Sequence, residues 1–490
     1  MSAPQHATAR TLPDWNDGLP RAAPSATGVN ADALIRFLDE VEAAGLDMHS
    51  FMLHRQGKVV AEGWRWPYRA DRPRVLHSAA KSYTACAIGL AIEEGLLKIS
   101  DKVISFFPDE LPDPVSENLA AMTVEDLLTM RTGHATETSG SVWRNIPTSW
   151  TGEFFKIPLA HAPGTHYVYT SAASYMLSAI IGRVTGITMH EYLKPRLFAP
   201  LGIHDEEWSI GPDGVNPGGN GLTARTADML KLGILHAQGG LWEGKRVLPL
   251  AWVQAATRAQ GGDDSIYGYQ WQIRPAGAYS AIGQFVQFVT VYPEHDATFA
   301  VTAAIDQSAL LFPYMQQYLL QAFATAPGSA EADLRLRNKI TAWEAPTPPQ
   351  ASAATALQSE IAGIDFAIDA NAAGVRQVRV SFGPGHCDFQ LTDAGGAHLI
   401  RAGLGQWLES TTDMPGQDLH HGYTFEKEPV VANAHWRDAQ TLEMTWIFPQ
   451  TAFRDTVVCT FKGNGLRIER GVNVNSSVMQ HPTLIGRAVR

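Results

Sequence analysis

Three cysteines in 490 residues, Cys86, Cys387 and Cys459, are too few and too far apart for a disulfide framework or for the paired spacing of a zinc site. They fit a reducing compartment. Positive charge is also scarce. The 38 Lys and Arg stand against 49 Asp and Glu, a formal net charge of -11, which offers nucleic acid or an anionic membrane no electrostatic attraction. No apolar run is long enough to span a bilayer, and the opening MSAPQHATARTLPDWNDGLPRAAPSATG has neither the charged start nor the apolar stretch of a secretory signal. The expectation is a cytoplasmic protein whose partner is a small molecule or short peptide, with no nucleic acid and no membrane.

What is present is enough apolar sequence for two or three domains. Residues 1–28, rich in Pro and Ala without periodicity, read as an extended N-terminal arm. Asn30 then caps a helix with Leu34, Phe37, Leu38 and Val41 on one face, and SFMLHR and KVVAEGWRW flank Gln56-Gly57 as a hairpin. A largely apolar helix runs from Ala79 to Glu94. Further helical patterns follow, and alternating runs return at YGYQWQI, SAIGQFVQFVTVY and TFAVTAAI. Strands, then helices, then strands predict an α+β domain over 29–325, one antiparallel sheet assembled from both ends of the segment and covered by helices. Residues 326–356, with WEAPTPPQASAATA, read as a linker. Short alternating runs over 357–490 predict a separate antiparallel β domain, a barrel or a sandwich.

Three stretches carry candidate chemistry. In LHSAAKSYT, Ser78 and Lys81 are three apart at a helix start, on one face. A lysine desolvated in a pocket can take a serine's proton, and the Ser78 N–H can hold an oxyanion. Equally, Ser78 can be a helix cap followed by an ordinary lysine. In HYVYTSAASYM, Tyr169 and Ser171 precede a second apolar helix. A tyrosine near an ammonium can have its pKa lowered and shuttle protons, or it can be an interior aromatic beside a capping serine. In SAIGQFVQF, Gly283 lets a backbone approach a ligand and the Gln284 N–H can be a second oxyanion donor, or Gly283 marks a bulge.

These three motifs, in this order and spacing, resemble the penicillin-recognising serine hydrolase superfamily, which includes class C β-lactamases, family VIII esterases, D-aminopeptidases and nylon-oligomer hydrolases. Ser78-Ala79-Ala80-Lys81 matches its Ser-x-x-Lys, Tyr169-Thr170-Ser171 its Tyr-x-Asn/Ser, and Ala281-Ile282-Gly283 a relaxed form of its Lys-Thr-Gly. VEDLLTMRTGH, PGTHYVYTSAASYMLSAIIGRVTG and GGNGLTARTADMLKLG are similar to its connecting segments. The resemblance implies a β-lactamase-like fold with no metal and no cofactor. It makes Ser78 the nucleophile, Lys81 its base and Tyr169 the proton carrier to the leaving group, with Ser78 and Gln284 N–H groups holding the oxyanion and an acyl-enzyme released by water.

Two departures bear on substrate. Ala281 stands where β-lactam-binding relatives carry a cation, and Ser171 where they carry an amide. The expected activity is therefore hydrolysis of an amide bond in a small peptide or other small amide. The alternatives are a carboxylesterase and a catalytically silent binding protein of the same fold. Ser171, Ala281, Ile282 and Gly283 are candidate substrate contacts, as are His134 and Glu137 after RTG. Trp143 and Trp150 are either cleft aromatics or packing, and His77 is structural. The C-terminal domain fits three roles equally: shaping the cleft mouth, homo-oligomerisation, or burying sheet edges.

Overall fold

Asn30 starts the first helix in the computed structural model as its side chain predicts: Oδ1 accepts the Ala33 N–H at 3.1 Å, and α1 (Ala31–Ala43) buries Leu34, Phe37, Leu38 and Val41. The structure describes residues 16–139, 143, 146–261, 266–324, 326, 328–350, 355–423 and 427–489. Strands β1 (Met48–Arg55) and β2 (Lys58–Trp64) are joined by Gln56 and Gly57, whose φ values of 50° and 78° are those of a two-residue type I′ turn. The described part of the N-terminal arm lies along β2: Val59 N–H donates to Pro20 O at 2.8 Å, and Arg21 pairs with Asp17 and, at 2.8 Å, with Glu62.

The late strands complete the sheet. They are β3 (Gln272–Ile273), β4 (Tyr279–Gly283), β5 (Gln287–Tyr292) and β6 (Ala297–Ala303), and the order is β2-β1-β6-β5-β4-β3, antiparallel throughout. Strand β1 pairs with β6 across a long helical insertion, Met48 opposite Ala303. Within that insertion α2 (Ala80–Glu93) is buried all round from Ala80 to Ala91, as its lack of a polar face requires, and it packs against α3 (Ser171–Thr185). Helix α4 (Thr226–Ala237) lies against β1, β5 and β6.

The chain divides into two compact units between Glu344 and Ala345, with residues 304–306 grouped with the second. The stretch 326–356 differs from its reading as a linker. It contains α5 (Ala330–Trp343), capped by Ser329, with Ala332 and Leu336 buried; Lys339 reaches Asp39 and Glu42 of α1 at 2.7 Å each. Five of its 14 residues are charged and interleave with the apolar ones, so its narrow apolar stripe is inconspicuous, yet that stripe and the ion pairs hold it to the first unit.

The second unit is the barrel of the two predicted forms. Strands β7 (Asp365–Ile368), β8 (Gln377–Gly383), β9 (His386–Thr392), β10 (Ala397–Leu404), β11 (Leu408–Thr412), β12 (Glu428–Trp436), β13 (Thr441–Ile447), β14 (Arg454–Lys462), β15 (Gly465–Val472) and β16 (Leu484–Ala488) follow the order β10-β9-β8-β7-β16-β15-β14-β13-β12-β11. A short parallel pairing of Gly403-Leu404 with Asn433-Ala434 closes β10 onto β12, so nine strands form the ring, and β11 pairs with β12 beside that seam, where Thr412 Oγ1 donates to Leu399 O of β10 at 2.7 Å. Closure removes the ring's open edges. Alternate residues point inward. At one end Phe366, Phe382, Trp436 and Phe461 pack ring to ring.

At the other end the interior is charged. Asp455, fully buried, accepts from Arg470 Nε at 2.7 Å and lies 2.8 Å from His420 Nε2. Burial pushes its carboxyl up, but His420 and Arg470 outweigh that and hold it below its ordinary value. Glu428 is buried nearby, and among the described residues its Oε1 has no hydrogen-bond partner. Burial, reinforced by the Asp455 charge and offset only in part by the Arg470 charge, raises it from 4.5 to about 8. A carboxyl whose folded pKa is raised contributes stability that is fully present below pH 4.5 and lost as the pH climbs through about 8. The ceiling of that loss is about 5 kcal/mol. Calorimetric scans of the full chain between pH 5 and 9 should show a transition that falls with pH in wild type and stays nearly level in Glu428→Gln. An identical pH response in both proteins rules Glu428 out as its source.

Candidate active site

Ser78 is not a helix cap. It sits in a 3-10 turn, His77–Ala79, that leads into α2, and neither helical start is closed by a side-chain cap. Its hydroxyl instead accepts from Lys81 Nζ at 3.2 Å and shares a hydrogen bond with the Tyr169 hydroxyl. Lys81 is 2% exposed. An ammonium taken that far from water must be held by polar neighbours. Nζ also donates to Ser171 Oγ at 2.9 Å and to Gly219 O at 3.0 Å, and it lies 4.8 Å from the Tyr169 ring centroid. One residue from each of two apolar helix starts, with Tyr169 just before the second, therefore converges on one lysine.

The Tyr169 phenol differs from expectation. Burial pushes its pKa up, and the hydrogen bond to Ser78 offsets only part of this. The ammonium that would lower it faces the ring rather than the hydroxyl, so Tyr169 is a phenol at neutral pH.

The third motif reaches the same turn through backbone. Gly283 ends β4 against Leu76, where an added Cβ would come within 2.0 Å of Leu76 O. The Gln284 N–H follows in the turn 284–286, whose Phe285 and Val286 have φ of 59° and 68°. Such left-handed backbone is strained for bulky residues and is held by packing: both are fully buried, and Phe285 meets the His77 ring edge-on at 5.4 Å. His77 itself has φ of 49° and is buried. Ala281 is 2% exposed in the apolar core, which leaves it little surface for a substrate, whereas Ile282 is half-buried.

The two residues after RTG part company. Glu137 is exposed beside the site, and its Oε1 accepts the Ser171 N–H at 3.3 Å, a carboxylate at the start of α3. His134 is a correction. It is fully buried, with Nδ1 2.7 Å from Thr132 Oγ1 and its ring against Phe154, and burial lowers it to about 4. Trp143 and Trp150 are likewise packing, buried against each other and Tyr175 in tilted and edge-on contacts.

Three contributors were missed in the sequence. Gly219 supplies the carbonyl for Lys81 and must be small, since an added Cβ would meet Nζ at 3.1 Å and Ser171 Cβ at 3.2 Å; the signal was the GGNG run. Tyr267 packs edge-on against Tyr169 at 6.3 Å. Gln270 pins the layers behind the site, its side chain accepting from Ser174 Oγ at 2.6 Å and donating to Leu128 O at 3.0 Å while its carbonyl accepts from Ser82 Oγ at 2.8 Å. Both lie in YGYQWQI, read only as strand. Among the described residues no cluster of three or more His, Cys, Asp or Glu is arranged to hold a metal, and no helix is long and apolar enough to cross a membrane.

A family model described as Beta-lactamase matches residues 38–323. A 6-aminohexanoate-dimer hydrolase of Paenarthrobacter ureafaciens is 25% identical over 250 residues, 48% of this chain and 64% of that protein. A lovastatin esterase of Penicillium rubens is 29% identical over 176 residues, 31% of this chain and 43% of that protein. The chain thus spans less than two thirds of the length of either relative. Among solved structures, that of SurE matches over 93% of this chain and 98% of its own, with a TM-score of 0.50 at 15% identity, a likeness of fold.

Proposed function

This chain belongs to the beta-lactamase family, and on that premise we propose that it is a serine hydrolase working through an acyl-enzyme on an amide bond of a small peptide or other small amide. The observation that carries the reading is the buried Lys81 Nζ 3.2 Å from Ser78 Oγ, with the Tyr169 hydroxyl on the same oxygen. With Lys81 as the free amine, Ser78 Oγ bonds to the substrate carbonyl carbon while its proton passes to Nζ. The carbonyl oxygen becomes an oxyanion held by the Ser78 and Gln284 N–H groups. As the tetrahedral species collapses, the C–N bond breaks; the leaving nitrogen takes the Tyr169 phenol proton, and Tyr169 is resupplied from Lys81. Water then adds to the acyl group by the same route in reverse, freeing the acid and Ser78.

The amide leaning is supported by the relative named as a 6-aminohexanoate-dimer hydrolase. The relative named as a lovastatin esterase supports a second reading, carboxylester hydrolysis. Ala281 argues against a substrate held by its carboxylate at that position, since the missing charge-assisted hydrogen bond is worth about 1.5–3 kcal/mol.

A fluorophosphonate should add its phosphonyl mass once to the wild-type protein and not to Ser78→Ala, read by intact-mass spectrometry. Absence of an adduct on folded wild type leaves the catalytically silent binding protein as the better account. Matched short amides and esters then separate the two hydrolase readings, and the amide reading fails if esters alone turn over.

A further inference from the structure

Strand β5 is buried along its whole length, and its first residue, Gln287, is 0% exposed. An amide taken that far from water needs partners. Its Nε2 has three, and all are main-chain oxygens: it donates to Ala303 O at 2.8 Å, to Phe285 O at 3.1 Å and, at the long end of the range, to Gln284 O at 3.4 Å. Its Oε1 has none among the described residues. A side chain that leaves its acceptor unpaired is a poor choice for stability alone, so the residue type is explained by its donor.

The three oxygens belong to two different parts of the chain. Ala303 ends β6 within the sheet, opposite Met48 of β1, whereas Gln284 and Phe285 lie in the turn between β4 and β5. That turn holds two bulky residues in left-handed backbone, Phe285 at φ 59° and Val286 at φ 68°, a region that β-branched and aromatic residues avoid. Relaxing either torsion rotates the peptide plane that precedes it. Those two planes carry Gln284 O and Phe285 O, the oxygens that Gln287 holds. The Gln284 N–H lies between two fixed points: Gly283, which pairs with Gln287 across the hairpin, and the Gln284 carbonyl. Its direction follows from them. We propose that Gln287 is a positioning residue for the oxyanion site, its amide tying the turn 284–286 to the sheet so that the Gln284 N–H is aimed before substrate arrives. The role rests on the serine-hydrolase reading above, and Gln287, fully buried, acts only through the turn.

Two variants and one adduct of the full-length protein test it. Gln287→Glu keeps the shape and puts an acceptor where Nε2 donates; Gln287→Met keeps the length and removes the donor. Both should lower kcat for a reporter ester about 10²-fold, the scale of losing an oxyanion donor, with KM within about threefold of wild type. A lowered melting temperature with kcat within about threefold of wild type makes Gln287 a purely structural residue and overturns the proposal. The wild-type fluorophosphonate adduct, taken to a crystal structure, should place its phosphonyl oxygen about 3 Å from Gln284 N, with Gln287 Nε2 still on Phe285 O. That readout needs no variant to fold. A phosphonyl oxygen turned away from Gln284 N, or an amide that has left the turn, also overturns the proposal. The two failures are distinct: wild type that takes no fluorophosphonate overturns the hydrolase reading and this role with it, whereas labelled wild type beside fully active Gln287→Glu and Gln287→Met overturns the role alone.

Discussion

Lys81→Ala is expected to lower kcat by about 10⁴-fold, the upper range for loss of a positioned proton-transfer group. Its Nζ touches Ser78 Oγ, Ser171 Oγ, Gly219 O and the face of Tyr169 at once, so one truncation removes both the proposed base for Ser78 and the proposed proton source for Tyr169. The fold should persist. Those hydrogen-bond partners are two hydroxyls and a carbonyl, which water admitted to the vacated space can satisfy. Lys81→Arg should be no better, because a guanidinium does not give up its proton near neutral pH. The check is kcat for a reporter ester together with the melting temperature. Turnover within tenfold of wild type in a folded Lys81→Ala protein removes Lys81 from the base role.

Gly283→Ala is the second large effect, expected to cost about 10²–10³-fold in kcat. The new methyl would sit 2.0 Å from Leu76 O and 3.0 Å from Gln287 O, both backbone atoms. Neither can swing aside. Relief must come from parting β4 from the turn that carries Ser78, which also moves the Gln284 N–H away from the position proposed for the oxyanion. The substitution should lower the melting temperature too. KM should change less than kcat if the main loss is transition-state stabilisation. Unchanged kcat in a protein with wild-type spectra would mean that β4 does not supply the oxyanion donor.

The parts of this site legible in the sequence are those in which a side chain announces its own chemistry. Ser78, Lys81, Tyr169 and Ser171 lie at apolar helix starts, where a polar residue needs an explanation, and the structure brings all four together. Gly219 was illegible because its contribution is a carbonyl, identical in every residue type. His134 looked like a site residue because a histidine's type says nothing about whether a phenylalanine will cover it. The sheet drawn from both ends could be read from period-two runs flanking a helical middle. Helix α5 could not, since charged and apolar residues alternate over 331–337 and hide the helical period. Nor could the closure of the barrel, which rests on two parallel pairs between strands whose own alternation suits a sandwich as well.

The pairing of Met48 with Ala303 also sets a timetable for synthesis. Translation at about 5–20 residues per second puts roughly 10–50 s between the two strands leaving the ribosome. During that interval β1 and β2 form at most a hairpin whose β1 edge still awaits β6, and a lone hairpin is marginal in water. Ser78, Lys81 and Tyr169, at the starts of α2 and α3, emerge within the same window, before the strand that carries Gly283. A nascent chain that stops short of β6 holds Ser78 but not the complete sheet against which its turn is aligned, so the proposed chemistry would begin only after β6 is made.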